Sequence, residues 1–247
     1  MISIPKNYYS NLSCYEEFVI KTNILGYDVS NAELYDLFEK KYCISDVNCI
    51  RIIKDFCFFA VGNDSNRHLC IIDRKGNHIE NAVIEGNFSC SSMNLTSLKG
   101  APREVSGYFN CSYNNLTSLE GSPKEVSRYF DCSNNNLTSL VGSPVKVGRN
   151  FYCTNNNLIS LEGAPREVDG SFWCSNNNLT SLKGAPREVG GDFYCSGNNL
   201  TSLEGAPYKI YGDFYCFNNK LTDNQIKAYR KWLKTNPSSS YHDPYAT

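Results

Sequence analysis

Phe109-Asn-Cys111-Ser-Tyr-Asn114-Asn-Leu116-Thr-Ser-Leu119-Glu-Gly-Ser-Pro123-Lys-Glu-Val126 is one complete statement of a pattern that recurs along more than half of the 247-residue chain. Cysteines stand at 90, 111, 132, 153, 174, 195 and 216, each 21 residues from the next. Every one has a Phe two residues before it, from Phe88 to Phe214, and a Leu five after it, from Leu95 to Leu221. Further on come a second Leu (Leu98 to Leu203), a Pro (Pro102 to Pro207) and a Val or Ile (Val105 to Ile210). Self-similarity at such a period is the signature of a solenoid. Phe-x-Cys alternates, so Phe and Cys share one face of a short strand and the residue between them faces the other way. One turn cannot bury its apolar row alone, whereas stacked turns bury it jointly in columns. Gly-x-Pro after the second Leu blocks a long helix on the return side, because Pro lacks an N–H and Gly carries a backbone-entropy cost. The expectation is a parallel sheet on one side and extended or short 3₁₀ segments on the other.

Phe109-x-Cys111-x-x-Asn114-x-Leu116 resembles the leucine-rich-repeat segment LxLxxNxL, with Phe and Cys in two Leu slots. The continuation Leu116-Thr-Ser-Leu119 to Pro123 and Val126 resembles the short repeat of secreted bacterial effectors. Two features depart from it: Glu or Lys stands at the first Pro position, and the stretch from Val to Phe is one residue longer. The repeats are also similar to those of uncharacterised phage and bacterial proteins with GDFYCSNNNLTSLEGAP-like units. The resemblance implies an α/β leucine-rich-repeat solenoid with a curved parallel sheet of about seven rungs and a largely non-helical return side. It also implies that the column Asn114, Asn135, Asn156, Asn177, Asn198 and Asn219 bonds backbone groups inside the turns. Met93 fills that slot in the first rung, which suits a terminal repeat.

The expected organisation is an α+β N-terminal cap over 1–83, a solenoid over 84–221, a capping helix over 222–235 and a loose tail over 236–247. In the cap, Ser13-Cys-Tyr-Glu16 and Ser30-Asn-Ala-Glu33 read as helix capping boxes. Apolar runs at Phe56 to Val61 and Leu69 to Ile72 read as strands, with Arg74 to Asn77 a turn between β segments. Thr222-Asp223 opens a helix whose Ile226, Tyr229, Trp232 and Leu233 share a face and should cover the last rung, with Trp232 as a principal contact.

Net charge is −1, from 24 basic and 25 acidic side chains, and no basic run stands out, which argues against a phosphate-tracking nucleic-acid surface. No apolar stretch approaches the roughly 20 residues of a membrane span, and the first residues lack a signal-peptide pattern, so a cytoplasmic location is expected, including that of an infected host cell. The cysteine interval stacks thiols about 4.8 Å apart in the core, a packing role and not a metal or disulfide one, and no cofactor is expected.

Function is therefore sought on the outward columns of the sheet. The residue before each Cys runs Ser89, Asn110, Asp131, Tyr152, Trp173, Tyr194, Tyr215. The column two residues earlier holds Tyr108, Tyr129, Asp192 and Asp213, with Arg128 and Arg149 where the neighbouring position is otherwise Gly. The residue two after each Cys, from Ser92 to Asn218, also faces outward on this reading. Tyr, Trp and Arg dominate binding hot spots, and nothing in the core demands four successive outward aromatics. The candidate partner-binding residues are Tyr152, Trp173, Tyr194, Tyr215, Asp192 and Asp213, with Tyr108, Tyr129, Arg128 and Arg149 as a second group. No catalytic or metal residues are assigned; His68, Cys70 and His78 are the only arguable catalytic set. The favoured reading is a non-enzymatic protein-binding module, a phage or bacterial protein that captures or inhibits a host protein. Glycan binding through the aromatic stripe and an enzyme housed in the N-terminal cap are the alternatives.

Overall fold

A computed structural model describes residues 51–53, 56–61, 65–73 and 79–235. The two capping boxes, the turn at 74–77, His78 and the tail lie outside the described residues. Three antiparallel strands come first: β1 (Arg51–Ile53), β2 (Phe56–Val61) and β3 (His68–Asp73), in the order β1-β2-β3. Then the repeat takes over, and each 21-residue turn makes two strands of two residues.

The front strands are β5 (Phe88–Ser89), β7 (Phe109–Asn110), β9 (Phe130–Asp131), β11 (Phe151–Tyr152), β13 (Phe172–Trp173), β15 (Phe193–Tyr194) and β17 (Phe214–Tyr215). They form one parallel sheet in sequence order, with Phe always opposite Phe. The return side is extended, and it is a second seven-stranded parallel sheet. Its strands are β4 (Val83–Ile84), β6 (Glu104–Val105), β8 (Glu125–Val126), β10 (Lys146–Val147), β12 (Glu167–Val168), β14 (Glu188–Val189) and β16 (Lys209–Ile210). This is the architecture of a leucine-rich-repeat solenoid, closed at its C-terminal end by one helix, α1 (Asp223–Thr235).

Between the sheets the columns are buried as the alternation demands. The Phe rings from Phe88 to Phe193 and the thiols from Cys90 to Cys195 are inaccessible. Successive Phe rings stack at 5.2–6.0 Å. The seven repeat cysteines, Cys90 to Cys216, and Cys70 are buried and form no disulfide. Burial pushes the thiols of Cys111, Cys132, Cys153 and Cys195 well up, with neighbouring thiols adding to the effect. Each is a small apolar filler, and Cys111, Cys132, Cys153 and Cys174 also donate weakly to the next turn, as Cys153 Sγ does to Trp173 O at 3.2 Å.

The Asn column joins turns. Asn156 Oδ1 accepts from Leu137 N at 3.0 Å, while its Nδ2 donates to Cys132 O at 3.1 Å and Cys153 O at 3.2 Å. Asn114, Asn135, Asn177, Asn198 and Asn219 repeat the arrangement. Each Asn thus closes the turn before its own. Met93 sits in the slot whose Asn would serve a turn earlier than the first, and it is buried. There the hairpin supplies the neighbour: Phe58 packs on Phe88 at 4.4 Å, and Leu69 N donates to Lys99 O at 3.0 Å.

Two backbone positions explain fixed residues. Gly121, Gly142, Gly163 and Gly184 take φ of +84° to +91°, and a Cβ at Gly142 would lie 2.6 Å from Glu120 N. The column two after Cys is left-handed throughout, with φ of +54° to +56° at Ser92, Tyr113, Asn134, Asn155, Asn176 and Asn218, and +68° at Gly197. Asn and Gly prevail there because they tolerate that geometry. The column is outward as expected, and the backbone accounts for its residue types.

The C-terminal helix corrects one expectation. Tyr229, at 1 % exposure, is its anchor, while Trp232 is only half-buried. The Tyr229 ring meets Phe214 edge-on at 4.9 Å, and its hydroxyl donates to Pro207 O. Thr222 and Gln225 form a reciprocal capping box, Thr222 N donating to Gln225 Oε1 at 2.8 Å and Gln225 N to Thr222 Oγ1 at 3.3 Å. No helix among the described residues is long and apolar enough to cross a membrane.

Candidate protein-interaction face

The front sheet turns the second residue of each strand outward, and Tyr152, Trp173, Tyr194 and Tyr215 are each partly exposed in that column. Their strands are in register, so the rings contact in sequence. Tyr152 and Trp173 lie 5.9 Å apart at 36°, Trp173 and Tyr194 3.6 Å apart at 17°, and Tyr194 and Tyr215 4.6 Å apart at 6°.

Tyr108 and Tyr129 join this file instead of forming a separate group. They stack on each other at 4.5 Å and 7°, and Tyr129 meets Tyr152 edge-on at 6.0 Å and 81°. The signal was present in the sequence. A shift of two residues keeps the side chain on the same strand face, and the diagonal neighbour on an adjacent strand is within reach of an aromatic ring. Six rings therefore cross six rungs without interruption.

Polar side chains tie the file down. The Tyr194 hydroxyl donates to Asp192 Oδ2 at 2.8 Å, that of Tyr215 to Asp213 Oδ2 at 3.2 Å, and Asn150 Nδ2 donates to Tyr152 Oη at 2.6 Å. The bond to Asp192, aided by desolvation and the carboxylate charge, pushes the Tyr194 phenol up to about 12. Asp213 raises Tyr215 mainly through its charge. Burial and the Tyr108 hydroxyl raise Tyr129. Asp192 Oδ1 also accepts from Asp213 N at 2.8 Å, so this carboxylate is fully engaged. The same inter-rung bond is made by Asn87 to Tyr108 N, Asn150 to Ser171 N and Ser171 to Asp192 N. Tyr152, Tyr194 and Tyr215 thus each have a polar partner two residues earlier on the same strand face.

At the other end of the file Asn110 and Asp131 occupy the outward column, each folding back onto its own turn. Asn110 Oδ1 accepts from Ser112 N and Asp131 Oδ1 from Ser133 N, both at 2.9 Å. Burial raises the Asp131 carboxyl against those bonds. Arg128 and Arg149 lie just outside, exposed on adjacent rungs, and neither has an ion-pair partner among the described residues. Arg149 N bonds Arg128 O at 3.0 Å, which fixes their spacing. The face is thus polar in charge, cationic beside Tyr129 and Tyr152 and anionic beside Tyr194 and Tyr215.

The indole N–H of Trp173 is covered and has no acceptor. No group of three or more His, Cys, Asp or Glu among the described residues could hold a metal ion. Cys70 is buried, His68 Nδ1 stands 3.4 Å from Asn66 O, and His78 lies outside the described residues.

No protein-family model matches the chain, and no curated protein matches it. Among solved structures it is similar to YopM from Yersinia enterocolitica WA-314, at 22% identity and a TM-score of 0.43, over 55% of this chain and 34% of that one. The chain therefore spans about a third of that protein's length. The fold assignment rests on the repeat geometry itself.

Proposed function

We propose that the chain is a non-enzymatic protein-binding module whose contact surface is the aromatic file of the front sheet. The observation that carries this reading is the file itself: six partly exposed rings in unbroken contact, flanked by Arg128 and Arg149 at one end and Asp192 and Asp213 at the other. Rings already held by their neighbours lose little conformational freedom on binding. Tyr, Trp and Arg are the side chains that hot spots favour.

The arrangement favours a protein over a glycan. Sugar rings stack on aromatic faces, but Trp173, Tyr194 and Tyr215 turn their faces to each other at near-parallel angles. Mainly edges and bonded hydroxyls are left outward. The finer reading is a phage or bacterial protein that captures or inhibits a host protein in the cytosol. Its support is the likeness of the repeats to those of microbial proteins.

A pull-down from host lysate with the native chain and with a Trp173→Ala/Tyr194→Ala variant tests the proposal, beside a glycan array. A protein retained by the native chain should bind the variant weaker by at least about 2 kcal/mol, the scale of a hot spot. Equal retention by the two, or glycan binding alone, would overturn the assignment.

A further inference from the structure

The last rung ends in an unfilled copy of the site that every earlier rung fills. β17 is the terminal strand of the front sheet and has one strand neighbour. In the upstream rungs the N–H groups of the Phe, the Cys and the residue two after it donate to carbonyls of the following rung. Phe193 N, Cys195 N and Gly197 N do so at 2.9, 2.8 and 2.9 Å. The following Leu N–H is met by the next Asn, as Leu200 N is by Asn219 Oδ1 at 3.0 Å. In the last rung the equivalent donors, Phe214 N, Cys216 N, Asn218 N and Leu221 N, have no acceptor among the described residues.

Helix α1 does not fill the gap. It stands across the end of the core and leaves a cavity of about 280 Å³ whose walls include Cys216, Asn218, Leu221, Ile226, Lys227 and Arg230. Upstream, this is where the next ladder Asn bonds the preceding Leu N and Cys O. Arg230 reaches Phe214 O at 3.1 Å, so the edge carbonyl is met while the edge donors have no acceptor among the described residues. Lys227 and Arg230 form no ion pair among the described residues, and Asp223 is the one acid on the cavity wall. Phe217, 62% exposed, borders the same opening.

We infer that this edge takes an extended, asparagine-bearing strand of a partner protein as an eighth rung. Strand carbonyls would accept from Phe214 N, Cys216 N and Asn218 N, in the manner of β-augmentation. The Asn amide would enter the cavity, its oxygen accepting from Leu221 N and its nitrogen donating to Cys216 O. An aromatic residue just before the strand's Cys-equivalent position would stack on Tyr215 and lengthen the file. An acidic flank would meet Lys227 and Arg230, on charge complementarity. The site adjoins the aromatic face at Tyr215 but does not depend on that reading.

The chain's own repeat is the natural probe. A fluorescent peptide of the sequence of residues 191–202, GDFYCSGNNLTS, is titrated with the full chain, and amide hydrogen exchange is followed in the same mixtures. The peptide should bind and slow exchange at Cys216, Asn218 and Leu221. Replacing by Ala the peptide's asparagine that copies Asn198 should weaken binding about tenfold or more, the loss of a buried hydrogen-bonded group. Lys227→Glu in the protein should weaken binding of a peptide with an added N-terminal Asp pair, while Val145→Ala, at an exposed position on the return side, should leave the unmodified peptide's affinity unchanged. No binding, protection elsewhere, or indifference to the asparagine would overturn the inference. So would binding that appears only once residues 236–247 are removed, because the chain's own terminus would then be the occupant.

Discussion

Asn156 shows how much a single side chain carries. It is buried and bonds Leu137 N, Cys132 O and Cys153 O at once. Asn156→Leu would leave these groups dry and unpaired, each at about 1–3 kcal/mol, so a loss of at least about 3 kcal/mol is expected in urea unfolding. A loss under about 1 kcal/mol would mean that water replaces the amide. Tyr194 makes a second residue-scale prediction. Its ordinary value of 10.0 is pushed up to about 12 by the bond to Asp192. The folded value exceeds the unfolded one, so the stabilisation is complete below about pH 10 and is lost as pH climbs through about 12. Phenolate absorbance should show a late-titrating component, and Asp192→Asn should move part of it to lower pH; an unmoved titration would refute the coupling. The buried Phe and Cys columns were legible from their period, and the bonding of the Asn column from the resemblance to leucine-rich repeats. The tyrosine bonds were not, because the polar partner lies two residues away on the same strand face and reads as an independent surface residue.

At the scale of the element, α1 turns on depth, not on which face is apolar. Ile226, Tyr229, Trp232 and Leu233 all pack against the core, and the sequence identified that stripe, but periodicity does not say which member points along the axis of the solenoid. Tyr229 does, and its hydroxyl finds Pro207 O. Tyr229→Ala should therefore cost about 3–5 kcal/mol, as for a fully buried ring, and Trp232→Ala roughly half of that, in proportion to the lesser area it buries. Chemical unfolding of both variants decides the order, and a greater loss at Trp232 would contradict this account of the cap. The turns tell a similar story. Gly before x-Pro stops a helix in the sequence, and the structure adds that φ near +90° and the backbone of the preceding rung exclude a Cβ there. The column two after Cys is outward as expected, but its residue types answer to a left-handed turn, because Asn suits such a turn and a binding face equally well.

For the molecule as a whole, contacts run from each rung to its neighbours in both sheets, so length is adjustable in units of 21 residues. Deleting residues 134–154 joins equivalent positions and should leave a folded chain with in-register columns and a lower unfolding midpoint; loss of cooperative unfolding would show that the interior rungs are not interchangeable. The fold was legible because the period repeats six times over, each copy confirming the last. The site was legible only in part: its columns could be named, but the merging of Tyr108 and Tyr129 with the later rings needed the diagonal geometry of real strands. The ladder has a further consequence for synthesis. Each turn is closed by an Asn that lies in its successor, 19 residues after the Leu it serves. A ribosome delivers the chain from its N-terminus, so every newly emerged turn waits, amide groups bare, for the next to arrive. Folding on the ribosome should then advance by discrete clicks, and a tension-sensitive arrest peptide fused at successive points should record pulls at 21-residue intervals, a smooth rise being the contrary result.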